Sequence, residues 1–167
     1  MLREGLAFDR CQVAVVTNIG MGDHLGLNYI TTVEDLAVLK RVIVQNVAPN
    51  GMAVLNAADP IVAAMAGNCP GQVTFFALDS HHPVIATHRA QGKRVLFVED
   101  GQLVAMEGSR QTRIPLNEIP LTRKGAINFQ IENAMASIAA AWALGVGWDS
   151  ICKGLATFVS DRSEEHT

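Results

Sequence analysis

Two side chains with chemical potential, Asp23 and His24, stand between glycines where an apolar run ends, in the stretch VVTNIGMGDHLGL (Val15–Leu27). A neutral imidazole is a common metal ligand, and an adjacent carboxylate can fix its orientation. The loop that follows a buried parallel strand is also where α/β proteins hold their ligands. The stretch therefore suggests a metal-binding loop, although an Asp-His pair also serves as a loop contact or a helix cap.

Lys40 is the second candidate, in a segment whose apolar residues have helical spacing. Counting in helical steps from Val33 through Leu36 places Lys40 on the same stripe, which is expected to face the rest of the protein. A lysine there can direct its ammonium group at a ligand. It can equally lay its methylenes over the core and keep the ammonium group in water. The pattern leaves both interpretations open.

A pair of amides, Gln130 and Asn133, lies one helical turn apart at the start of an apolar helical segment. A side-chain amide offers a donor and an acceptor together, so this pair could bind the edge of a purine. The two amides could also pair with each other or cap the turn. Glu132, between them, is predicted to be solvated.

Other polar groups are weaker candidates for a functional site. The histidines His81, His82 and His88 lie in a polar connection without regular metal-ligand spacing, and we predict that they are surface residues. The chain contains neither GxxxxGK[ST] nor GxGxxG. It therefore carries no phosphate-binding loop of these two kinds.

The elements that position these side chains alternate between strand and helix. Apolar runs CQVAVVTN, MAVLNA and QVTFFALD read as buried strands, and helical segments lie between them. The first helix is expected over 31–47, stopped by the Pro49–Gly51 turn, and a short second helix opens with Asp59 and Pro60. This order predicts an α/β fold with a mostly parallel, doubly wound sheet.

The remaining segments suggest two additions to this sheet. Strand-like runs on either side of Asp100 and Gly101 predict an antiparallel hairpin or meander, inserted in the sheet or at its edge. The stretch FQIENAMASIAAAWALG then predicts a helix whose apolar stripe faces the core.

Composition narrows the class of protein. The chain has 167 residues, a net charge of −3 and three cysteines without a CxxC spacing. This charge gives no sign of a nucleic-acid or membrane partner, and the cysteine pattern favours a reducing, cytoplasmic compartment. The polar tail Arg162–Thr167 (RSEEHT) matches the translation of a sequencing adapter, so we expect it to be non-native and the chain to be a gene fragment.

The order TN-x-G-x-x-DH-L, a helix with a lysine, AVLNAADP and FQIENAMASIAAAWALG resembles the central domain of the Mur ligase family. The resemblance covers 2–161. It implies that residues 1–161 form the C-terminal portion of an ATP-binding domain. That domain would belong to an enzyme that uses ATP and Mg²⁺ to activate a carboxylate as an acyl phosphate, which an amine then attacks.

The resemblance also assigns roles to the residues above. His24 aligns with a metal-binding histidine and Asn18 with the same ligand-binding loop. Lys40 aligns with a catalytic lysine that is carbamylated in many relatives or, unmodified, touches the acyl phosphate. Gln130 and Asn133 occupy adenine-side positions. Relatives usually read NADDP where this chain has Asn56-Ala57-Ala58-Asp59-Pro60, so Asp59 alone is expected to cap the next helix.

Within the family, the stretches LREGLAFDR and FQIEN resemble the branch that adds arginine to the aspartate side chains of a polymer. The implied partners are arginine, ATP and this aspartate–arginine polymer, in a homo-oligomeric full-length parent. Without a phosphate-binding loop, this polypeptide alone is expected to be inactive. Peptidoglycan-type or folylpolyglutamate-type ligases, or a non-catalytic nucleotide- or partner-binding module, are the alternatives.

Overall fold

A single six-stranded sheet organises the protein in a computed structural model that describes residues 10–17, 33–119 and 128–156. The strands lie in chain order across the sheet. The first four are parallel, and β5 runs antiparallel to both β4 and β6. This arrangement confirms the predicted α/β class. The strands are β1 (Cys11–Val16), β2 (Val47–Asn56), β3 (Gln72–Asp79), β4 (Val95–Glu99), β5 (Gln102–Glu107) and β6 (Arg110–Pro115).

Helices connect the parallel strands and cover the sheet. They are α1 (Val33–Gln45), α2 (Pro60–Ala64), α3 (Pro83–Ala90), α4 (Asn128–Ala143) and α5 (148–156). One-turn 3₁₀ helices follow α2 and β6, at Met65–Asn68 and Leu116–Glu118. None of the described helices is long and apolar enough to cross a membrane.

The start of α2 follows the predicted capping chemistry. Asp59 Oδ1 accepts hydrogen bonds from the backbone N–H groups of Ile61 at 3.0 Å and Val62 at 3.3 Å. Pro60 occupies the first helical position, where its missing N–H costs nothing. The prediction that Asp59 caps this helix is confirmed.

The core consists of two layers, one on each face of the sheet. Along β2, Leu55 belongs to the layer that contains residues of α1, α2 and α3, while its neighbour Val54 belongs to the layer that contains residues of α4 and α5. Both residues are fully buried. Successive side chains of a strand point to opposite faces, so a strand buried on both sides reads as a continuous apolar run. The predicted stripe on α4 is confirmed, with Ile131 and Met135 buried against the second layer.

The antiparallel hairpin forms at the predicted place. Asp100 and Gly101 connect β4 to β5 with φ angles of 54° and 73°. A two-residue hairpin turn with positive φ at both positions has the geometry of a type I′ turn, which favours Asp-Gly. Because β4 is also the fourth parallel strand, the meander continues the main sheet at its edge.

The predicted boundaries of the first helix and of the second strand are wrong. The first helix ends at Gln45, and Pro49 and Gly51 lie inside β2 instead of stopping the helix. The pairing of β1 with β2 shifts register between Cys11 and Val13. Such an irregularity near the start of a strand tolerates a proline that has no N–H to donate.

The histidine-containing connection folds into a helix, α3, that the sequence pattern did not predict. His82 caps α3 by accepting a hydrogen bond on Nδ1 from the backbone N–H of Val84 at 3.2 Å. His88 is buried, so its assignment to the surface is wrong. Its Nε2 donates to the carbonyl oxygen of Val73 at 2.7 Å, and its ring meets the ring of Phe75 edge-on. The carbonyl oxygen of half-buried Val73 thus gives the buried imidazole the partner that burial requires.

Candidate functional site

The carboxyl end of β2 holds the most strongly buried amide of the described residues. Asn56 is 5 % exposed, and its Oδ1 accepts a hydrogen bond from the backbone N–H of Ala58 at 2.9 Å. The backbone N–H of Ala57 donates to the carbonyl oxygen of Phe76 on the neighbouring strand at 2.8 Å. These bonds fix a tight turn that delivers Asp59 to the start of α2.

Glu132 meets this turn from the first part of α4. Its side chain is half-buried, and the Asn56 side chain lies close enough to affect its pKa. Burial raises the pKa of Glu132 above the ordinary range, and the Asn56 side chain partly opposes that rise. Glu132 is therefore only partly in solvent, where the sequence predicted that it is solvated. Met135 and Ala136, three and four positions after Glu132, are both buried. This helical spacing could have indicated from the sequence that Glu132 is partly buried.

The two candidate amides lie on either side of this contact in sequence. Gln130 is half-buried and Asn133 is exposed. Because Asn56, at the carboxyl end of β2, lies close enough to Glu132 to affect its pKa, the start of α4 lies near the carboxyl edge of the parallel strands. In α/β sheets this edge is where ligands bind. That the two amides contact adenine stays a prediction.

Lys40 lies in the middle of α1. It is half-buried, with Ala37 and Val44 on the same stripe, both of them in the core. Helical side chains lean toward the N-terminus of their helix. The N-terminus of α1 belongs to the connection that follows β1, so Lys40 leans toward the carboxyl edge of the sheet.

The glycine-flanked loop with Asn18, Asp23 and His24 lies outside the described residues. In the ranges the structure covers, no group of three or more His, Cys, Asp or Glu side chains could hold a metal ion. Near the carboxyl edge, the Asp59 carboxylate caps α2 and Asn56 Oδ1 is bonded to Ala58. Mg²⁺ prefers a shell of six oxygens, so the described residues by themselves do not form its site.

Comparison with known proteins gives this architecture a family. The Mur ligase middle domain matches residues 4–141. The chain is 41% identical over 165 residues to cyanophycin synthetase from Synechocystis sp., covering 98% of the chain and 19% of that relative. It is 33% identical over 150 residues to UDP-N-acetylmuramoylalanine–D-glutamate ligase from Pelotomaculum thermopropionicum, covering 89% of the chain and 29% of the relative.

A solved structure shares the fold. MurF from Acinetobacter baumannii superposes with a TM-score of 0.57 at 23% identity, over 88% of this chain and 29% of that one. The chain spans about a fifth of the length of the cyanophycin synthetases it matches. Because the family match extends over most of the chain and the sheet has the corresponding fold, the chain belongs to the Mur ligase middle domain family.

Proposed function

We propose that this chain is part of an ATP-dependent amide ligase of the cyanophycin synthetase kind, which adds arginine to the aspartate side chains of a polymer. The observation that carries the proposal is the identity of 41% to a cyanophycin synthetase along 98% of the chain. The peptidoglycan-type relative is 33% identical over 89% of the chain. The acceptor carboxylate would take the terminal phosphoryl group of ATP, releasing ADP, to become an acyl phosphate. The amine of arginine would then attack the acyl carbon, and the amide would form with loss of inorganic phosphate and a proton.

In this proposal two residues of α4 and one of the loop after β1 bind and orient the nucleotide. Gln130 and Asn133 would hold the adenine ring, since each amide presents a donor and an acceptor to a purine edge. Phosphoryl transfer asks a protein mainly for positioning and charge neutralisation. Asn18 would support the loop after β1.

Lys40 and His24 are the proposed residues on the phosphate side. A positive Lys40 would neutralise charge at the acyl phosphate, whereas a carbamylated Lys40 would offer oxygen atoms instead. His24 would contribute one ligand to Mg²⁺, which supplies charge neutralisation when bound. The oxygen-rich remainder of that shell would have to come from phosphate, water and residues beyond those described.

The test uses the complete enzyme that contains this segment, with aspartate polymer as primer. Arginine-dependent ADP release is measured for the unmodified enzyme and for His24→Ala and Lys40→Ala. We expect each substitution to lower kcat by about 10²–10³-fold, as removal of one charge-stabilising group does in other enzymes. Arg41→Ala is the matched control because it removes the neighbouring cation on α1.

The outcomes separate the alternatives. Turnover with another amine, such as glutamate, in place of arginine would indicate a peptidoglycan-type or folate-type ligase. ATP binding without turnover on any amine would indicate a non-catalytic nucleotide-binding module. Unchanged turnover in both substituted enzymes would remove Lys40 and His24 from the site.

A further inference from the structure

A cleft of about 510 Å³ opens at the amino edge of the sheet, where β2, β3 and β4 begin. Its walls include the turn that leads into β3, the buried His88 of α3 and Lys93 just before β4. Pro70 and Phe75 contribute apolar surface to the same walls. The proposed nucleotide-binding residues belong to the opposite, carboxyl edge. The cleft is therefore a feature of the fold that the proposed ligase function does not use.

His88 brings one bonded and one open ring nitrogen to this cleft. The residue is 8% exposed, and Nε2 donates to the carbonyl oxygen of Val73 at 2.7 Å. Because a carbonyl oxygen can only accept, Nε2 carries the proton and Nδ1 has a lone pair in the neutral ring. Nδ1 makes no hydrogen bond with the residues that the structure describes. In that part of the chain, the one fully buried side-chain nitrogen or oxygen without a partner is Arg94 Nε, so His88 Nδ1 remains accessible.

Lys93 gives the cleft a positive charge. Among the described residues, no other ammonium, guanidinium or carboxylate group lines it. The backbone N–H of Lys93 donates to the carbonyl oxygen of His88 at 3.2 Å, which holds the two residues together. Burial lowers the pKa of His88, the bond to Val73 opposes this, and the Lys93 ammonium lowers the pKa further. An anion beside both groups would offset their repulsion and favour protonation of the ring.

The end of α3 also lies at this edge. Free carbonyl groups at a helix C-terminus favour cations and disfavour anions. Here the carbonyl oxygens of Thr87, His88 and Arg89 accept backbone N–H groups of residues 91–93. These bonds occupy the last carbonyl groups of the helix, so the cleft keeps its preference for negative charge.

We propose that this cleft binds a small oxyanion, a phosphate or carboxylate group, between the Lys93 ammonium and a protonated Nδ1 of His88. The proton comes from solution when the anion binds, and no covalent bond changes. A lysine binds such groups as a point charge. The Gln72 amide, which also lines the cleft, can add a further donor.

The test uses this chain with isotope-labelled histidine, titrated at constant ionic strength with inorganic phosphate and, separately, with acetate. NMR measures the dissociation constant and the pKa of His88. We expect saturable binding, with a higher pKa of His88 in the bound state. Lys93→Gln should raise the dissociation constant about tenfold, as loss of one charge-assisted hydrogen bond does. His88 itself is left unchanged, because its bond to Val73 supports the fold.

A second variant tests the space instead of the charge. Gly67 lines the cleft, and an added Cβ there meets no atom within 4 Å. Gly67→Met can therefore extend into the cleft without a clash, and we expect it to weaken binding at least tenfold. The matched controls are Gly147→Met, at another glycine with open space, and Lys153→Gln, at an exposed lysine of α5. Both should bind like the unmodified chain.

Binding of phosphate alone would identify a phosphate group as the ligand, whereas binding of acetate as well would extend the site to carboxylates. The inference is overturned if neither anion binds saturably at millimolar concentration. It is also overturned if Lys93→Gln binds as tightly as the unmodified chain, or if Lys153→Gln weakens binding equally. The titrations contain neither ATP nor an amine, so their result does not depend on the ligase proposal.

Discussion

At the scale of single residues, buried polar groups of this protein are placed by their partners. Asn56 accepts the backbone N–H of Ala58, and His88 donates to the carbonyl oxygen of Val73. Both residues would cost free energy if left unpaired in these surroundings. The environment of each side chain therefore has a measurable consequence for stability.

His88 predicts a pH dependence of folding. Burial lowers the pKa of His88, the hydrogen bond to Val73 opposes this, and nearby Lys93 lowers it further. Between the folded pKa and the ordinary value of about 6.5, the unfolded chain binds more protons than the folded chain. The contribution of neutral His88 is thus fully present above about pH 6.5 and is lost as the pH falls through the folded pKa.

The measurement is the melting temperature between about pH 5 and 8, the range in which an imidazole titrates. We expect the fall on acidification to be smaller in His88→Gln than in the unmodified protein. His81→Gln is the matched control, because the His81 side chain is 91% exposed. A fall of equal size in all three proteins would contradict the assignment to His88.

Asp59 gives a second prediction at this scale. Asp59→Ala removes the acceptor of two backbone N–H groups at the start of α2 and should destabilise the protein by about 1 kcal/mol. Asp59→Asn keeps an acceptor oxygen and should retain most of the stability. Chemical denaturation measures the free energy of unfolding of both variants. Equal losses of stability would show that the charge of Asp59 matters more than its capping hydrogen bonds.

At the scale of elements, turns and short helices follow local chemistry, and the hairpin between β4 and β5 is the clearest case. Gly101 adopts a φ of 73°, and an added Cβ would meet no atom within 4 Å. Any cost of a side chain at this position therefore comes from the backbone conformation and not from a clash.

Gly101→Ala should consequently lower the free energy of unfolding by about 1 kcal/mol. Gly147→Ala is the matched control, because its added Cβ also meets nothing within 4 Å and its φ lies outside the left-handed region. We expect that control to change stability by less than about 0.5 kcal/mol. Urea denaturation measures both, and equal effects would reject backbone strain as the cause.

At the scale of the whole molecule, one sheet separates two apolar layers. Leu55 and Phe97 lie in the layer with α1, α2 and α3, whereas Leu96 and the half-buried Trp142 and Trp148 belong to the layer with α4 and α5. Because both layers share the same strands, loss of packing in one should destabilise the other.

This coupling can be measured with the two tryptophans, which both report on the second layer. Leu55→Ala, in the first layer, should lower stability by about 2–5 kcal/mol. The tryptophan-fluorescence midpoint and the far-UV circular dichroism midpoint should shift together. Leu96→Ala is the matched substitution in the second layer. Separate fluorescence and dichroism transitions in Leu55→Ala would show that the layers unfold independently.

The sequence by itself determined the features that depend on neighbouring residues. Alternation of strand and helix, the Asp59-Pro60 helix start and the Asp100-Gly101 turn all follow from local periodicity, capping and backbone preference, and each is present in the structure. The same local patterns selected Gln130 and Asn133 as candidates, and their role at the nucleotide stays a prediction.

Tertiary structure decided which polar side chains meet. Glu132 was expected in solvent and is half-buried. His88 was expected on the surface, yet it is buried and its partner Val73 comes from another element of the chain. Pro49 and Gly51, read as a helix stop, are accommodated within β2 beside β1. Such environments depend on how elements distant in sequence pack against each other, and no local pattern contains that information.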